Sequence, residues 1–353
     1  MGQRFRRGLV VGKFSPLHRG HEALIRGAQD SCDDLTIISY SKPEFAGCEA
    51  SRREQWLAEL YPSARRLVVT DDFLREHTRP NAEFTAVPAN NAPDAIHRDF
   101  CAFLLETFAQ TDVDAVFTSE DYGAGFADHL TGRLRSRRQH ATSVEHVSVD
   151  PDRSMIPVSG SQIRTDVHAH RNWLSPCVYA GFVQRICILG GESSGKSVLA
   201  QALAQRFNTA FVPEYGRELW TAKEGRLVYD DMLEIARCQI EREQSTARNA
   251  ARYLFCDTSP LTTLFYSLDM FGRADVALER LALVSYDLHV LCAPDFEFVQ
   301  DGTRRDAEFR LRQHHWYLEQ LGRIGVHYLL AQGPVQTRVD QIAARLARAT
   351  NES

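Results

Sequence analysis

Short apolar runs punctuate the chain, and stretches with helical spacing lie between them. In the first half Gly8–Val11, Leu35–Ser39, Leu67–Val69, Ala115–Thr118 and Val144–Val149 read as buried strands. Helical spacing falls near His21–Gln29, Arg52–Leu60 and Ala95–Phe108. Residues 77–93, with Pro80, Pro88, Pro93 and several asparagines, read as a surface loop. A second alternation opens at Arg185–Leu189 and continues with strands at Ala210–Val212, Tyr253–Cys256, His289–Cys292 and His327–Leu330. Its helices are expected at Lys196–Arg206, Asp230–Ala250, Asp306–Leu321 and Val335–Ala349. Strand–helix–strand alternation of this kind predicts an α/β fold with parallel sheets covered on both faces. The pattern breaks between Ser175-Pro176 and Phe182, so two domains are predicted, 1–180 and 181–353.

Two phosphate-handling strings sit where this pattern places strand–turn–helix junctions. The first is Gly12-Lys13-Phe14-Ser15-Pro16-Leu17-His18-Arg19-Gly20-His21, joined far downstream by Val158-Ser159-Gly160-Ser161-Gln162-Ile163-Arg164. In an open parallel sheet ligands bind at the carboxyl ends of the strands. His18 and His21, three apart at a helix start, can face one side of such a site and donate to phosphate oxygens. Lys13 adds a full positive charge, with Gly12, Phe14 and Ser15 in the same turn against ATP. Ser159, Ser161 and Arg164 would hold the β- and γ-phosphates with the free N–H groups of a helix start. These parts describe in-line displacement of pyrophosphate without a covalent enzyme intermediate.

The second string, Gly190-Gly191-Glu192-Ser193-Ser194-Gly195-Lys196-Ser197, fits the P-loop pattern. Backbone N–H groups of a glycine-rich turn wrap phosphates, Lys196 reaches the β/γ oxygens and Ser197 binds Mg²⁺. Phe211-Val212-Pro213-Glu214-Tyr215-Gly216-Arg217 places a carboxylate and an arginine after the next strand. Asp257 ends another strand, where a carboxylate can hold Mg²⁺ or orient an attacking hydroxyl. Glu214 and Asp257 are both expected at the site, with neither assigned as base. Asp301-Gly302-Thr303-Arg304-Arg305-Asp306 reads either as a lid whose arginines close over the γ-phosphate or as a solvated helix start.

Composition narrows the field. A hydrophobic content of 44% with 25% charged residues is that of a folded, water-soluble chain, and no run reaches membrane-spanning length. The first strand follows the N-terminus too closely for a signal peptide, so a cytoplasmic location is expected. The net charge of −5 gives no general attraction to nucleic acid. Lysine occurs only at 13, 42, 196 and 223, and two of these fall inside the phosphate strings. The cysteines at 32, 48, 101, 177, 187, 238, 256 and 292 form no C-x-x-C pair and read as small buried hydrophobes. His314-His315 and the pair His168 and His170 lack a third ligand at metal spacing and read as exposed histidines.

The first string and its downstream partner resemble the H-x-G-H and I-S-x-[ST]-x-x-R motifs of the nucleotidylyltransferase superfamily. More narrowly, Gly12–Leu24, Ser119-Glu120-Asp121-Tyr122-Gly123, Val158–Arg164 and Gly190–Ser197 resemble the NadR family. The likeness runs from about residue 8 to 345. It implies a Rossmann-like nicotinamide mononucleotide adenylyltransferase followed by a P-loop ribosylnicotinamide kinase. It further implies ATP and Mg²⁺, with nicotinamide riboside, its mononucleotide and NAD as small-molecule partners, and neither nucleic acid nor membrane. Glu214-Tyr215-Gly216-Arg217 matches the family's E-Y-x-R, Asp257–Thr263 its D-T-x-x-x-T-T, and 301–304 its D-G-x-R, which favours the lid reading. Tyr215 and Arg217 are then expected near the acceptor. For the cationic nicotinamide ring, Tyr122 and Trp173 are the aromatic partners expected.

The chain departs from the family at two places. The repressor helix-turn-helix of some members is not expected before the first strand, and His77–Asp94 does not follow the pattern expected ahead of the long helix. A phosphopantetheine adenylyltransferase fused to dephospho-coenzyme A kinase is a rival, disfavoured by the two kinase matches. A non-catalytic NAD/ATP sensor is another, disfavoured by intact Lys13, His18, His21, Lys196 and Ser197. The sequence sets no oligomeric state, and a homo-oligomer is compatible with it.

Overall fold

The computed structural model describes residues 4–120, 122–137, 143–150, 154, 156–300, 302 and 304–351. The chain forms two compact units, Met1–Gly181 and Phe182–Ser353. The first runs β1 (Phe5–Gly12), α1 (Arg19–Ser31), β2 (Cys32–Tyr40), α2 (Ala50–Leu60), β3 (Arg65–Val69), α3 (Asp71–His77), α4 (Asp94–Leu104), β4 (Ala115–Thr118), α5 (Gly123–Arg137), β5 (Glu145–Ser148), α6 (Gly160–Thr165) and α7 (Pro176–Tyr179). Its sheet is parallel in the order β3-β2-β1-β4-β5. The direction of winding reverses between β1 and β4, which opens a crevice at their carboxyl ends.

Alternation along the strands sends side chains to opposite faces. Leu9, Ile38 and Val116 meet Phe100, Phe126 and Leu130 of α4 and α5 in one core. Helices α1 and α2 lie on the same sheet, with Leu24, Ile25, Trp56 and Leu57 buried. Past Leu104, α4 continues into a wide turn, Leu105–Ala109. Residues 78–93 carry neither helix nor strand.

The second unit runs β6 (Gln184–Gly190), α8 (Lys196–Arg206), β7 (Phe211–Val212), α9 (Tyr215–Ala222), α10 (Tyr229–Ala247), β8 (Tyr253–Asp257), α11 (Pro260–Phe271), α12 (Val276–Leu281), β9 (Leu288–Cys292), α13 (Ala307–Arg323), β10 (Tyr328–Ala331) and α14 (Val335–Asn351). All its strand pairs are parallel, ordered β10-β9-β6-β8-β7. The central strand β6 is apolar and buried without interruption from Ile186 to Leu189, where both faces are covered. Ile186 and Ile188 pack with Leu199, Leu203 and Ile342 of α8 and α14, while Cys187 and Leu189 pack with Leu261, Tyr317 and Leu321 of α11 and α13.

Every expected strand is present. Helices α3, α5, α7, α9, α11 and α12 lie outside the expected set. Helix α11 buries Thr262, Thr263 and Ser267 and exposes Leu268 and Met270, so its sequence shows no clean helical stripe. Helix α5 contains Gly123, Gly125 and Gly132, which weaken any helical signal. All eight cysteines are free thiols. No helix among the described residues is long and apolar enough to cross a membrane.

Candidate functional site

In the first unit the turn after β1 and the start of α1 are built around two imidazoles. Nδ1 of His18, the N-cap of α1, accepts from Gly20 N–H at 3.2 Å, and Nδ1 of His21 accepts from His18 N–H at 3.4 Å. This is a capping box made by histidines. A nitrogen that accepts carries no proton, so in each neutral ring the proton sits on Nε2. The rings stack with centroids 3.7 Å apart, and Phe14 meets His21 edge-on at 5.1 Å. Each imidazole is therefore held from two sides.

Far along the chain, Ser159 caps α6 by accepting from Gln162 N–H at 3.2 Å. Arg164, on the last turn of α6, donates to the carbonyl of Ser15 and to Ser161 Oγ at 3.0 Å, with its guanidinium 3.9 Å from the Phe45 ring centroid. Gly12, Lys13, Phe14, Ser15, His18, His21, Ser159, Ser161, Arg164 and Tyr122 line one cavity of about 490 Å³. That volume suits a nucleotide-sized ligand.

The loop at 78–93 serves this cavity. Asn90 bonds Ser41 and the carbonyl of Pro43, and its own carbonyl accepts from Lys13 Nζ at 3.3 Å. Arg53, fully buried, binds the Glu44 carboxylate, Ser39 Oγ and the Cys48 carbonyl, fixing the wall behind Lys13. No local signal marks Arg53 or Asn90, because their partners lie 5 to 77 residues away. The Tyr122 end also holds Tyr40, whose hydroxyl meets His97 Nδ1 at 3.0 Å. Burial, then the Lys13 charge, pushes the His97 imidazole below its usual range. Trp173 sits on the single turn Arg171–Trp173, outside the cavity lining among the described residues. Asp121 lies outside the described residues.

In the second unit the turn after β6 has the backbone of an anion cradle. Gly190 has φ +152°, and a Cβ there would lie 2.5 Å from Ser194 Oγ. A Cβ on Gly191 would lie 2.6 Å from the carbonyl of Arg310, so α13 approaches the turn as closely as a backbone allows. Lys196 is buried and donates to the carbonyl of Gly191 at 3.0 Å. Arg338 of α14, fully buried, donates to the carbonyls of Ser194, Ala293 and Gly333 and pairs with Asp295. Val299 and Arg305 reach the turn: Val299 N–H donates to Ser193 Oγ at 3.0 Å and Arg305 N–H to Glu192 at 2.7 Å.

A cavity of about 300 Å³ adjoins this turn, lined by Glu192, Lys196, Glu214, Arg217, Arg304 and Arg305. Trp220, Tyr266 and Gln313, which belong to none of the motifs, also line it, as does Thr258 of the D-T-x-x-x-T-T string. Tyr215 points elsewhere: its ring lies under Arg242 and its hydroxyl donates to Glu234 at 3.4 Å. Asp257 is buried at the end of β8, and its Oδ1 has no hydrogen-bond partner. Burial first, and then the Glu214 charge, raises its carboxyl to about 6 against the pull of Lys196 and Ser197. Ser194 Oγ and Thr258 Oγ1 are likewise buried without partners. Such groups are costly unless a polar ligand satisfies them. No group of three or more His, Cys, Asp or Glu side chains stands ready for a metal among the described residues. Asp301 and Thr303 lie outside the described residues.

Fold and site together define a class: an enzyme of two parallel α/β units, one with a paired-histidine crevice and one with a P-loop. Residues 185–338 match the AAA domain family model. The chain is 30% identical over 314 residues to the trifunctional NAD biosynthesis/regulator protein NadR of Salmonella typhimurium, covering 84% of this chain and 71% of that one. The protein of the same name from Escherichia coli matches equally. The chain belongs to the NadR family. Its fold is that of a NadR protein solved with NAD and AMP-PNP, with a TM-score of 0.66, 19% identity and 97% coverage of both chains. A NadR structure with NR gives a TM-score of 0.65 at 19% identity, covering 97% of this chain and 96% of that one.

Proposed function

We propose that this chain is a bifunctional enzyme of NAD salvage. The second unit phosphorylates nicotinamide riboside with ATP, and the first joins the resulting mononucleotide to AMP from a second ATP, giving NAD and pyrophosphate. The observation that carries this reading is the meeting of Lys13, His18, His21 and Arg164 in one nucleotide-sized cavity, although Arg164 lies 149 residues from its partner Ser15. A lone histidine pair would not require that meeting.

In the adenylyl step a phosphate oxygen of the mononucleotide attacks the α-phosphorus of ATP, and the bond to the β-phosphate oxygen breaks. Negative charge moves onto the departing pyrophosphate. The Nε2–H groups of His18 and His21, with Lys13 and Arg164, supply the positive ends that receive it. Their positions are set before reaction by backbone and by packing, which is where electrostatic catalysis gains most.

In the kinase step Lys196 and the turn N–H groups hold the phosphates. The acceptor hydroxyl attacks the γ-phosphorus, the bridging oxygen leaves with ADP, and the hydroxyl proton passes to a carboxylate. Glu214 lines the acceptor cavity and takes that role in our reading. Asp257, with its unpartnered Oδ1, and Ser197 fit a divalent cation. Mg²⁺ held by them would shield charge on the β and γ oxygens.

Incubation with nicotinamide riboside and MgATP, followed by chromatography, tests the reading. Mononucleotide should appear first and NAD after it. His18→Ala should slow only the second product, by roughly 10²–10³-fold for a lost oxyanion donor, and Lys196→Ala only the first. Tight binding of phosphopantetheine, with none of nicotinamide mononucleotide, would move the reading to the coenzyme A rival.

A further inference from the structure

Thr258 follows Asp257 at the carboxyl end of β8, and its backbone stands at φ +76°. Of the non-glycine residues with positive φ among the described residues, it is the one with a β-branched side chain. Such a side chain crowds its own backbone in the left-handed region, so a turn needed only for chain direction would take Gly or Asn. Two contacts to β6 pin it there: Thr258 N–H donates to the carbonyl of Ile188 at 3.0 Å, and its carbonyl accepts from the Cys187 thiol at 3.9 Å. The strain is thus held by the strand that leads into the phosphate turn.

Its hydroxyl gains nothing from the protein in return. Thr258 is 4% exposed, Oγ1 has no hydrogen-bond partner, and the residue lines the cavity beside Lys196 and Glu214. Neighbouring hydroxyls are already engaged: Thr262 Oγ1 with Tyr317 at 2.7 Å, and Ser259 Oγ with Leu261 N–H at 3.3 Å. Backbone strain and an unsatisfied buried hydroxyl at one residue point outward, to a ligand.

We propose that Thr258 is a substrate-binding residue of the kinase site, its hydroxyl bonding the acceptor nucleoside beside the hydroxyl that receives the phosphoryl group. A hydroxyl both donates and accepts, as a sugar hydroxyl does, so the two match. The phosphates have their own donors in Lys196 and the turn backbone. This inference rests on the kinase reading above.

The test uses the full chain with Thr258→Val, Thr258→Ser and Thr258→Gly, following nicotinamide riboside phosphorylation and ATP binding separately. Valine keeps the branched shape and removes only the hydroxyl. It should lower kcat/KM for the nucleoside about 10- to 100-fold, as loss of a buried polar contact to substrate does, with KM for ATP unchanged. Serine should stay within a few-fold of wild type. Glycine should lose as much activity as valine yet melt no lower than wild type, which a purely structural hydroxyl would not allow. An active wild type with an equally active Thr258→Val variant overturns the inference and leaves the kinase reading standing. A rise confined to KM for ATP also overturns it, and a wild type inactive on nicotinamide riboside removes both.

Discussion

Replacing Asp257 by asparagine should make the second unit more stable and its kinase inactive. The carboxyl is buried, and burial with the Glu214 charge lifts it from the ordinary 3.8 to about 6. At about 1.4 kcal/mol per pKa unit, holding it ionised at neutral pH costs roughly 3 kcal/mol. Asparagine has the same shape and never ionises, so it escapes that cost. The sign follows from proton binding, because the folded state keeps the proton more tightly than the unfolded chain. Wild type therefore has this contribution in full below pH 4 and loses it as pH rises through about 6. Melting curves of variant and wild type should coincide near pH 4 and separate between 4 and 6. At pH 7.5 they should stand roughly 6–10 °C apart for a unit of this size. Saturating MgATP should close part of the gap by stabilising wild type more than the variant, which keeps Lys196 and the phosphate turn but lacks the carboxylate. Parallel melting across pH 4–8, or an Asp257→Asn enzyme with undiminished phosphorylation, would refute the reasoning.

Two further outcomes are expected. A Cβ on Gly123 would lie 2.0 Å from His146 Nε2 and 2.5 Å from Thr118 Oγ1, which bond each other at 2.8 Å. Gly123→Ala should therefore destabilise the first unit by about 1–3 kcal/mol and, by shifting adjacent Tyr122, raise KM for the mononucleotide. Calorimetry and adenylyl-transfer kinetics would check both. Arg338→Met should cost about 3–5 kcal/mol, since it strands buried carbonyls and a carboxylate, and weaken binding of a fluorescent ATP analogue.

The strands were legible because a parallel sheet covered on both faces demands uninterrupted apolar runs, as at Ile186–Leu189. Helices were legible where one face meets water. In α11 the positions that meet water, Leu268 and Met270, are themselves apolar, although Ser259 as N-cap followed by Pro260 marks its start, a local signal independent of periodicity. At the crevices, residues clustered in short strings could be read, since backbone geometry ties them to one turn. Residues recruited through space could not: Arg53, Asn90, Arg338 and Gln313 reach the sites across 40 to 144 residues of chain. The aromatics show the same limit. Trp173 reads no differently in sequence from Trp220, yet Trp220 lines a cavity and Trp173 does not.

The fully buried guanidinium of Arg338 has a consequence for how the protein is made. Within the second unit α14 follows every other element in chain order, so until it is made the carbonyl of Ser194, the carbonyl of Ala293 and the carboxylate of Asp295 lack their common donor. The phosphate turn of the second unit is thus fully braced only after that unit's last element is made, while the first unit has all its own parts once Gly181 has emerged. Within one polypeptide, competence to make the dinucleotide precedes competence to make its precursor.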